Sequence, residues 1–234
     1  MLDFTSAALT LVIMACGSAP GHAGLLAGID VSHWQGTINW NDVANSGIEF
    51  AFIKASEGTD FVDARFQYNI SNSLTAGILS GAYHFARPDI DLADPLDAVR
   101  EATHFADTIR PYYESGAHLR PVIDLEVRPG GTTLADRAYL SQWIRDFAST
   151  IDEEFGFLPL IYTNLNYATN FLDNDISNLD LWIARWTYDT SSPPSNLGIW
   201  DKWAFWQYSN QGAVPGIDVR TATGHVKKKW NASN

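Results

Sequence analysis

The stretch RPVIDLEVRPGG, residues 120–131, joins a short apolar run to two carboxylates and then to a proline and two glycines. The apolar run favours a strand, and the proline and glycines end it. Side chains alternate between the two faces of a strand, so Asp124 and Glu126 share one face while Ile123 and Leu125 share the other. Two neighbouring acids disfavour each other's charge, so this pair predicts a site that uses them.

Similar short apolar runs recur on both sides of this stretch, most of them separated by sequence with helical periodicity. The predicted strands are Ala27–Val31, Phe50–Ala55, Gly81–Phe85, Val122–Glu126, Leu158–Thr163, Leu181–Trp186, Ala204–Tyr208 and Gly216–Val219. The predicted helices are Trp40–Asn45, Ala64–Ala76, Pro95–Ile109, Leu134–Glu154 and Tyr167–Phe171.

Strands that alternate with helices in this way predict an α/β fold. We expect a single TIM-like (β/α) barrel of eight strands with fewer helices, about five. An open doubly wound sheet is the alternative. That fold usually carries a glycine-rich phosphate loop after an early strand, whereas Ser32-His33-Trp34-Gln35-Gly36 follows the first predicted strand here.

Composition narrows the class of protein. The chain has 234 residues, 46% of them hydrophobic, which is enough for one sizeable core and short for two domains. Its formal net charge of −12 gives no electrostatic attraction for nucleic acid or for an anionic membrane. Nine tryptophans could serve as stacking platforms for sugars or simply fill the core.

Residues 1–23 resemble a secretion signal, which leaves 24–234 as the barrel. The apolar run Ala7–Ala15 is too short to span a bilayer, and small residues before Gly24 offer a cleavage site, although no basic residue precedes the run. We therefore expect a secreted protein without a membrane span. Lipid anchorage through Cys16, the only cysteine, is a minor alternative.

Polar side chains fall at the carboxyl ends of the predicted strands, where the site of a β/α barrel lies. They include carboxylates, an amide and aromatic rings: Asp30, Tyr83, Asp124, Glu126, Tyr162, Trp206, Gln207 and Asp218. Paired carboxylates with aromatic walls are what glycoside hydrolysis requires. Taken singly, Asp30 and Asp218 are more typical of acids that hydrogen-bond to loop amides.

Six motifs in order resemble glycoside hydrolase family 25, the lysozymes that cut bacterial peptidoglycan. They extend from residue 27 to about residue 220 and comprise GIDVSHWQG (28–36), FIKASEG (52–58), GAYHFAR (81–87), DLE (124–126), LWIARW (181–186), and WQYS (206–209) with GIDV (216–219). In two places the chain departs from the family's pattern: Trp186 stands where tyrosine is common, and Arg220 stands where an acid is often seen.

The resemblance implies a barrel with N-acetylmuramidase activity, and its substrate would be the glycan strands of peptidoglycan. We expect the protein to be a monomer and to need no metal or cofactor. The resemblance implies Glu126 as the general acid and Asp124 as the partner that orients the substrate's acetamido group. It also implies two further acids, Asp30 and Asp218, and substrate contacts by Tyr83, Tyr162, Trp206 and Gln207.

Three other functions are alternatives to a muramidase. They are a non-catalytic glycan-binding barrel, a chitinase of another acetamido-assisted family, and a metal-dependent polysaccharide deacetylase that would use His33, His84 and Asp30. The presence of Glu126 disfavours the first, and the spacing of the histidines disfavours the last. The stereochemical course stays open between retention through the acetamido group and inversion by water that Asp218 or Asp30 activates.

Overall fold

The computed structural model describes residues 10–15, 25–88, 94–113, 118–126, 134–188 and 190–218. The strands in these ranges are β1 (Thr10–Ala15), β2 (Leu25–Val31), β3 (Phe50–Glu57), β4 (Phe61–Val62), β5 (Leu79–Phe85), β6 (Val122–Asp124), β7 (Leu160–Asn164), β8 (Leu181–Ala184) and β9 (Phe205–Ser209). The α-helices are α1 (Trp40–Asn45), α2 (Phe66–Thr75), α3 (Asp97–Tyr113), α4 (Leu134–Phe155) and α5 (Leu165–Asn170). Short 3-10 helices cover His33–Gln35 and Asn174–Asn178.

All of these strands belong to one curled sheet, in the order β2-β1-β9-β8-β7-β6-β5-β3-β4, with a further pairing of β2 and β3. Successive neighbours from β2 and β3 round to β8 and β9 are parallel. β4 is a short antiparallel edge on β3. The α/β class and the expected number of helices are confirmed. A regular parallel (β/α) barrel of eight strands is not shown, since β1 runs antiparallel to both of its neighbours.

Strand β1 lies inside the predicted secretion signal. It pairs with β2 on one side and with β9 on the other. A short apolar run is equally typical of a leader core and of a buried strand, which explains why the sequence alone did not predict β1. Removal of residues 1–23 would take β1 out of the sheet. The cleavage itself stays a prediction, and Cys16 lies outside the described residues.

The predicted strand Gly216–Val219 is wrong over its described part. Val214 and Ile217 instead close a turn, in which the Ile217 amide donates to the Val214 carbonyl at 3.1 Å. Pro215 cannot donate to a sheet ladder, and Gly216 has a φ of +90°, which only glycine adopts readily. Val219 lies outside the described residues.

The core lies on both faces of the sheet because the strand side chains alternate. The inner cluster is mainly aromatic: Phe50, Phe52, Val122, Leu160, Tyr162, Trp182 and Phe205. A larger cluster between the sheet and the helices includes Ile123 and Leu125, as the alternation predicts. A Cβ atom at Gly28 would lie 2.3 Å from the Phe50 ring, so this glycine lets the ring occupy the interior. The rings therefore fill the interior, and polar side chains occupy the strand ends beyond them.

Candidate active site

Six parallel strands present polar side chains at their carboxyl ends. The register places Asp124 beside Tyr162 and Lys54 beside Tyr83 on neighbouring strands. Tyr83 packs against the inner aromatic cluster, to which Tyr162 itself belongs. The polar residues of the site lie at or within three positions of the ends of these strands: Asp30 of β2, Lys54 of β3, Tyr83 of β5, Asp124 of β6, Tyr162 of β7 and Gln207 of β9.

Asp124 and Glu126 lie two residues apart, and their side chains share a hydrogen bond. The backbone around them is fixed by neighbours on both sides. The Ala86 amide donates to the Asp124 carbonyl at 3.0 Å, and the Leu125 amide donates to the Tyr162 carbonyl at 3.0 Å. The Tyr167 hydroxyl donates to the Glu126 carbonyl at 2.8 Å. The backbone that carries both carboxyls is therefore held in place, although Glu126 follows the end of β6.

Burial makes this pair retain a proton near neutral pH. It raises the pKa of Glu126 to about 7; the hydrogen bond with Asp124 opposes the rise, the charge of Asp30 adds to it, and Lys54 also opposes it. Burial and the charge of Glu126 raise the pKa of Asp124 well above its usual range. Close carboxyls of this kind do not ionise together, so one proton is shared between them. Such a pair can donate a proton at neutral pH.

One oxygen of Asp124 lacks a hydrogen-bond donor among the described residues. The Asp124 side chain is only 6% exposed. Its Oδ1 is buried and accepts no hydrogen bond from the part of the chain that the structure describes. A buried carboxylate oxygen without a donor is costly, so this position favours a ligand with an N–H or O–H group.

Gln207 connects the acids to the aromatic wall. Its Oε1 accepts from the Tyr162 hydroxyl at 2.8 Å and from the Trp186 indole N–H at 2.8 Å. Its Nε2 donates to Asp30 Oδ2 at 3.1 Å. Because the Tyr162 hydroxyl and the Trp186 indole both donate to the same oxygen, the orientation of the Gln207 amide is fixed, and its N–H faces Asp30.

The two tyrosines of the site stay protonated. Burial, followed by the charges of Asp30 and Asp124, raises the pKa of Tyr83. Burial, followed by the charges of Glu126 and Asp124, raises the pKa of Tyr162. Both phenols therefore remain hydrogen-bond donors over the range in which the acid pair titrates.

Lys54 is the positive group that faces these acids. Its Nζ lies 4.9 Å from the centre of the Phe85 ring and donates to Glu57 Oε2 at 2.5 Å. Glu57 also accepts from the Arg87 guanidinium at 2.6 and 2.8 Å. Burial opposes ionisation of Glu57, but the hydrogen bonds from Lys54 and Arg87 leave its pKa lowered. An ionised Glu57 therefore holds the ammonium in place.

The histidines of the deacetylase alternative do not converge. His33 Nδ1 lies 2.6 Å from Asp63 Oδ2 at the rim. His84 is fully buried on the helical side of the sheet, between Ser56 Oγ at 2.9 Å and Glu101 Oε2 at 2.7 Å. No group of three His, Cys, Asp or Glu side chains in the described ranges is arranged to hold a metal ion.

Trp206 is not brought into the site. It is fully buried in the cluster that packs against the helices, and its indole N–H donates to the Arg185 carbonyl at 2.8 Å. Trp206 and Gln207 are adjacent in β9, so they face opposite sides of the sheet. Trp206 therefore faces away from the acids while Gln207 faces them, and the substrate contact by Trp206 stays a prediction.

Asp218 is also separate from the acid pair. It is exposed and lines a cavity of about 730 Å³ together with residues of α1 and α2, among them Trp40 and Tyr68. The walls of this cavity do not include Asp30, Asp124 or Glu126. The turn that replaces the predicted strand accounts for this position.

Two residues of the site, Lys54 and Trp186, lie at predicted strand ends but were not assigned a role from the sequence. Lys54 continues the inward alternation of Phe50 and Phe52, so a stricter use of the period-2 pattern would have assigned it to the side of the acids. Trp186 was noted as a departure from the family's pattern. Its bond to Gln207 joins segments 21 residues apart, and no local signal reports such a contact.

Comparison with known proteins decides the family. The profile of glycosyl hydrolases family 25 matches residues 29–217, most of the chain. The chain belongs to glycosyl hydrolases family 25. The resemblance inferred from the motifs is thereby confirmed, and the protein is a glycoside hydrolase. The matched residues contain Asp30, Tyr83, Asp124, Glu126 and Gln207 and end one position before Asp218.

Relatives of the family 25 chain occur in bacteria and fungi. Lysozyme M1 of Streptomyces globisporus is 35% identical over 220 residues, covering 92% of this chain and 70% of the relative. The N,O-diacetylmuramidase of Arthroderma benhamiae is 27% identical over 216 residues, covering 88% of this chain and 86% of the relative. The crystal structure of the bacterial lysozyme from Streptomyces coelicolor has a TM-score of 0.69 at 35% identity, covering 81% of this chain and 86% of that one.

Proposed function

We propose that this family 25 hydrolase is an N-acetylmuramidase. It cleaves the β-1,4 bond between N-acetylmuramic acid and N-acetylglucosamine in bacterial peptidoglycan. The observation that carries the proposal is the buried acid pair at the end of β6, in which the Asp124 and Glu126 side chains share a hydrogen bond. The relatives named lysozyme and N,O-diacetylmuramidase support the same substrate class.

Glu126 acts as the general acid. Its raised pKa keeps a proton available near neutral pH, and it gives this proton to the oxygen of the glycosidic bond. The bond between that oxygen and the anomeric carbon breaks, and the N-acetylglucosamine side leaves as an alcohol. Burial raises the pKa of Glu126 despite the opposing charge of Lys54, and burial likewise raises the pKa of the catalytic acid in other glycosidases.

Asp124 orients the acetamido group of the muramic acid residue. Its Oδ1 accepts the acetamido N–H. When the shared proton lies on Glu126, Asp124 is the ionised member of the pair, and its negative charge stabilises the positive charge that develops on the acetamido group. The acetamido oxygen attacks the anomeric carbon and forms an oxazolinium ring. Water, activated by the Glu126 carboxylate, then opens the ring, and the anomeric configuration is retained.

The surrounding groups support these roles. Asp30 disfavours ionisation of Glu126, and Gln207 holds Asp30 through a hydrogen bond of 3.1 Å. Tyr83 and Tyr162, which remain protonated, can donate hydrogen bonds to substrate oxygens. Asp218 has no part in this mechanism, because it lies in the separate cavity beside α1.

The proposal includes export of the protein and removal of residues 1–23, because peptidoglycan lies outside the cytoplasmic membrane. The relatives named lysozymes are consistent with action at the cell wall. No helix in the described ranges is long and apolar enough to cross a bilayer.

The test is to digest purified peptidoglycan and to identify the new reducing ends by mass spectrometry after reduction with borohydride. A muramidase leaves reduced N-acetylmuramic acid at every new end. Reduced N-acetylglucosamine would instead show that the other glycosidic bond is cut. The Glu126→Gln variant is the matched control, since the amide keeps the shape of the side chain and cannot donate the proton.

A further inference from the structure

Two aromatic side chains remain exposed directly after β8. Trp186 is 48% exposed and Tyr188 is 57% exposed. No other tryptophan in the described ranges is exposed to this degree. Single exposed apolar residues are ordinary on protein surfaces, but two large exposed rings two positions apart in the chain and next to the acid site need an explanation.

Trp186 is held next to the acid site. Its indole N–H donates to Gln207 Oε1, which also accepts from Tyr162, and the other end of the Gln207 amide donates to Asp30. A single amide therefore separates Trp186 from a carboxylate whose charge acts on Glu126. The hydrogen bond fixes the edge of the indole while about half of the side chain stays open to solvent.

Tyr188 is held by its backbone and by its hydroxyl. Its amide donates to the Tyr208 carbonyl at 2.9 Å, and its hydroxyl donates to Asn210 Oδ1 at 3.1 Å. Its φ of 58° is the only positive φ of a residue other than glycine in the described ranges. The left-handed region costs such a residue about 1–2 kcal/mol, and strain of this kind concentrates at ligand sites.

Both rings are therefore fixed before any ligand binds. Trp and Tyr offer a flat apolar face together with a polar edge, and this combination suits the C–H face of a pyranose ring, whose hydroxyls remain free for hydrogen bonds. The neighbouring carboxylates Asp30, Asp124 and Glu126 disfavour an anionic ligand at this place. An uncharged sugar has a C–H face that can stack on the rings and carries no negative charge that the carboxylates would repel.

We propose that Trp186 and Tyr188 form a subsite that stacks a pyranose ring of the glycan strand beside the acid pair. The subsite rests on the proposed muramidase function and adds to it the place where the chain of sugars continues past the cleaved bond. Gln207 connects this subsite to the acid site, because the amide that fixes Trp186 also fixes Asp30.

The test measures binding and catalysis separately. Binding of a tetrasaccharide of alternating N-acetylglucosamine and N-acetylmuramic acid is titrated by calorimetry in the Glu126→Gln background, so that the ligand stays intact. We expect Trp186→Ala and Tyr188→Ala each to raise the Kd by roughly tenfold, and Trp186→Phe, which keeps an aromatic face, by no more than about threefold. In the active chain the Ala variants raise KM with kcat changed by less than about twofold, as expected for lost uniform binding.

Tyr68→Ala is the matched control, because Tyr68 is an exposed tyrosine, 37% exposed, that lines the separate cavity beside α1. We expect its Kd and KM to equal those of the parent. Circular dichroism establishes that each variant is folded. Should an Ala variant fail to fold, the tryptophan emission of the parent and of Trp186→Phe on adding tetrasaccharide gives the answer. We expect a change in the parent that Trp186→Phe largely loses.

The outcomes separate the subsite from the function on which it rests. If the parent chain releases no fragments from peptidoglycan, the proposed function is refuted. If the parent cleaves peptidoglycan while both Ala variants bind the tetrasaccharide like the parent, the subsite is refuted. An equal loss of affinity in Tyr68→Ala, or an emission change that persists fully in Trp186→Phe, would also overturn the subsite.

Discussion

Replacement of Glu126 by glutamine removes a buried acid and should change activity and stability in opposite directions. The pKa of this carboxyl is raised from 4.5 to about 7 in the folded protein, mainly by burial. The folded state therefore retains the proton between about pH 4.5 and pH 7 while the unfolded chain releases it. It follows that this group makes the folded state progressively less stable, relative to the unfolded chain, as pH rises through that window.

The magnitude follows from the same values. Above about pH 7 the raised pKa costs the folded protein up to about 3 kcal/mol, and the coupling with Asp124 makes this an upper bound. We expect Glu126→Gln to increase the free energy of unfolding by about 1–3 kcal/mol at pH 8 and to change it little at pH 4.5. In the same variant, we expect turnover of peptidoglycan to fall by about 10²- to 10⁴-fold, because the amide cannot donate a proton.

Urea denaturation at the two pH values, followed by tryptophan fluorescence, measures the first effect. Fragment release from peptidoglycan measures the second. An equal change of stability at both pH values would show that the burial argument is wrong, since an uncharged packing effect does not depend on pH. Near-normal turnover by the folded variant would remove Glu126 from the mechanism.

Four further predictions concern the mechanism and the export of the chain. Asp124→Asn should lower kcat by more than tenfold, whereas Asp218→Asn should leave it nearly unchanged; the reverse order would implicate Asp218 in activating water. Proton NMR should show the β anomer of the new reducing end before mutarotation, and an α anomer formed first would establish inversion. Activity should be the same with and without a chelator, because the proposed steps move protons between carboxyls and substrate; loss in chelator with recovery on added zinc would support a deacetylase. Sequencing of the exported natural protein should find an N-terminus near Gly24, whereas an intact Met1 would refute removal of the leader and leave β1 in the sheet.

The parallel strands explain why much of the site could be predicted from the sequence. The carboxyl ends of parallel strands meet at one rim, so polar residues at predicted strand ends come together whatever the exact length of the strands. Asp30, Tyr83, Tyr162 and Gln207 are examples, although β7 begins later than the sequence suggested. The placement of these residues needs only the order of elements and the side on which each residue faces.

The sequence-based predictions differ from the structure where the alternation and turn rules were not applied strictly, or where the contact joins residues far apart in the chain. Trp206 and Gln207 are neighbours in one strand and cannot both face inward, so the alternation rule already favoured one of them. Pro215 and Gly216 favour a turn, and this signal should have outweighed the apolar residues around them. Strand β1 depends on pairing with β9, almost 200 residues away, and no local pattern reports that pairing.

The dependence of kcat/KM on pH tests the central claim most directly, namely that a protonated acid pair at the end of β6 breaks the glycosidic bond. In the free enzyme this quantity reports the pKa of the essential acid. Because burial raises the pKa of Glu126 to about 7, we expect kcat/KM for soluble glycan fragments to fall as pH rises through that value. A profile that stays flat or rises from pH 6 to pH 9 in the folded enzyme would contradict the account.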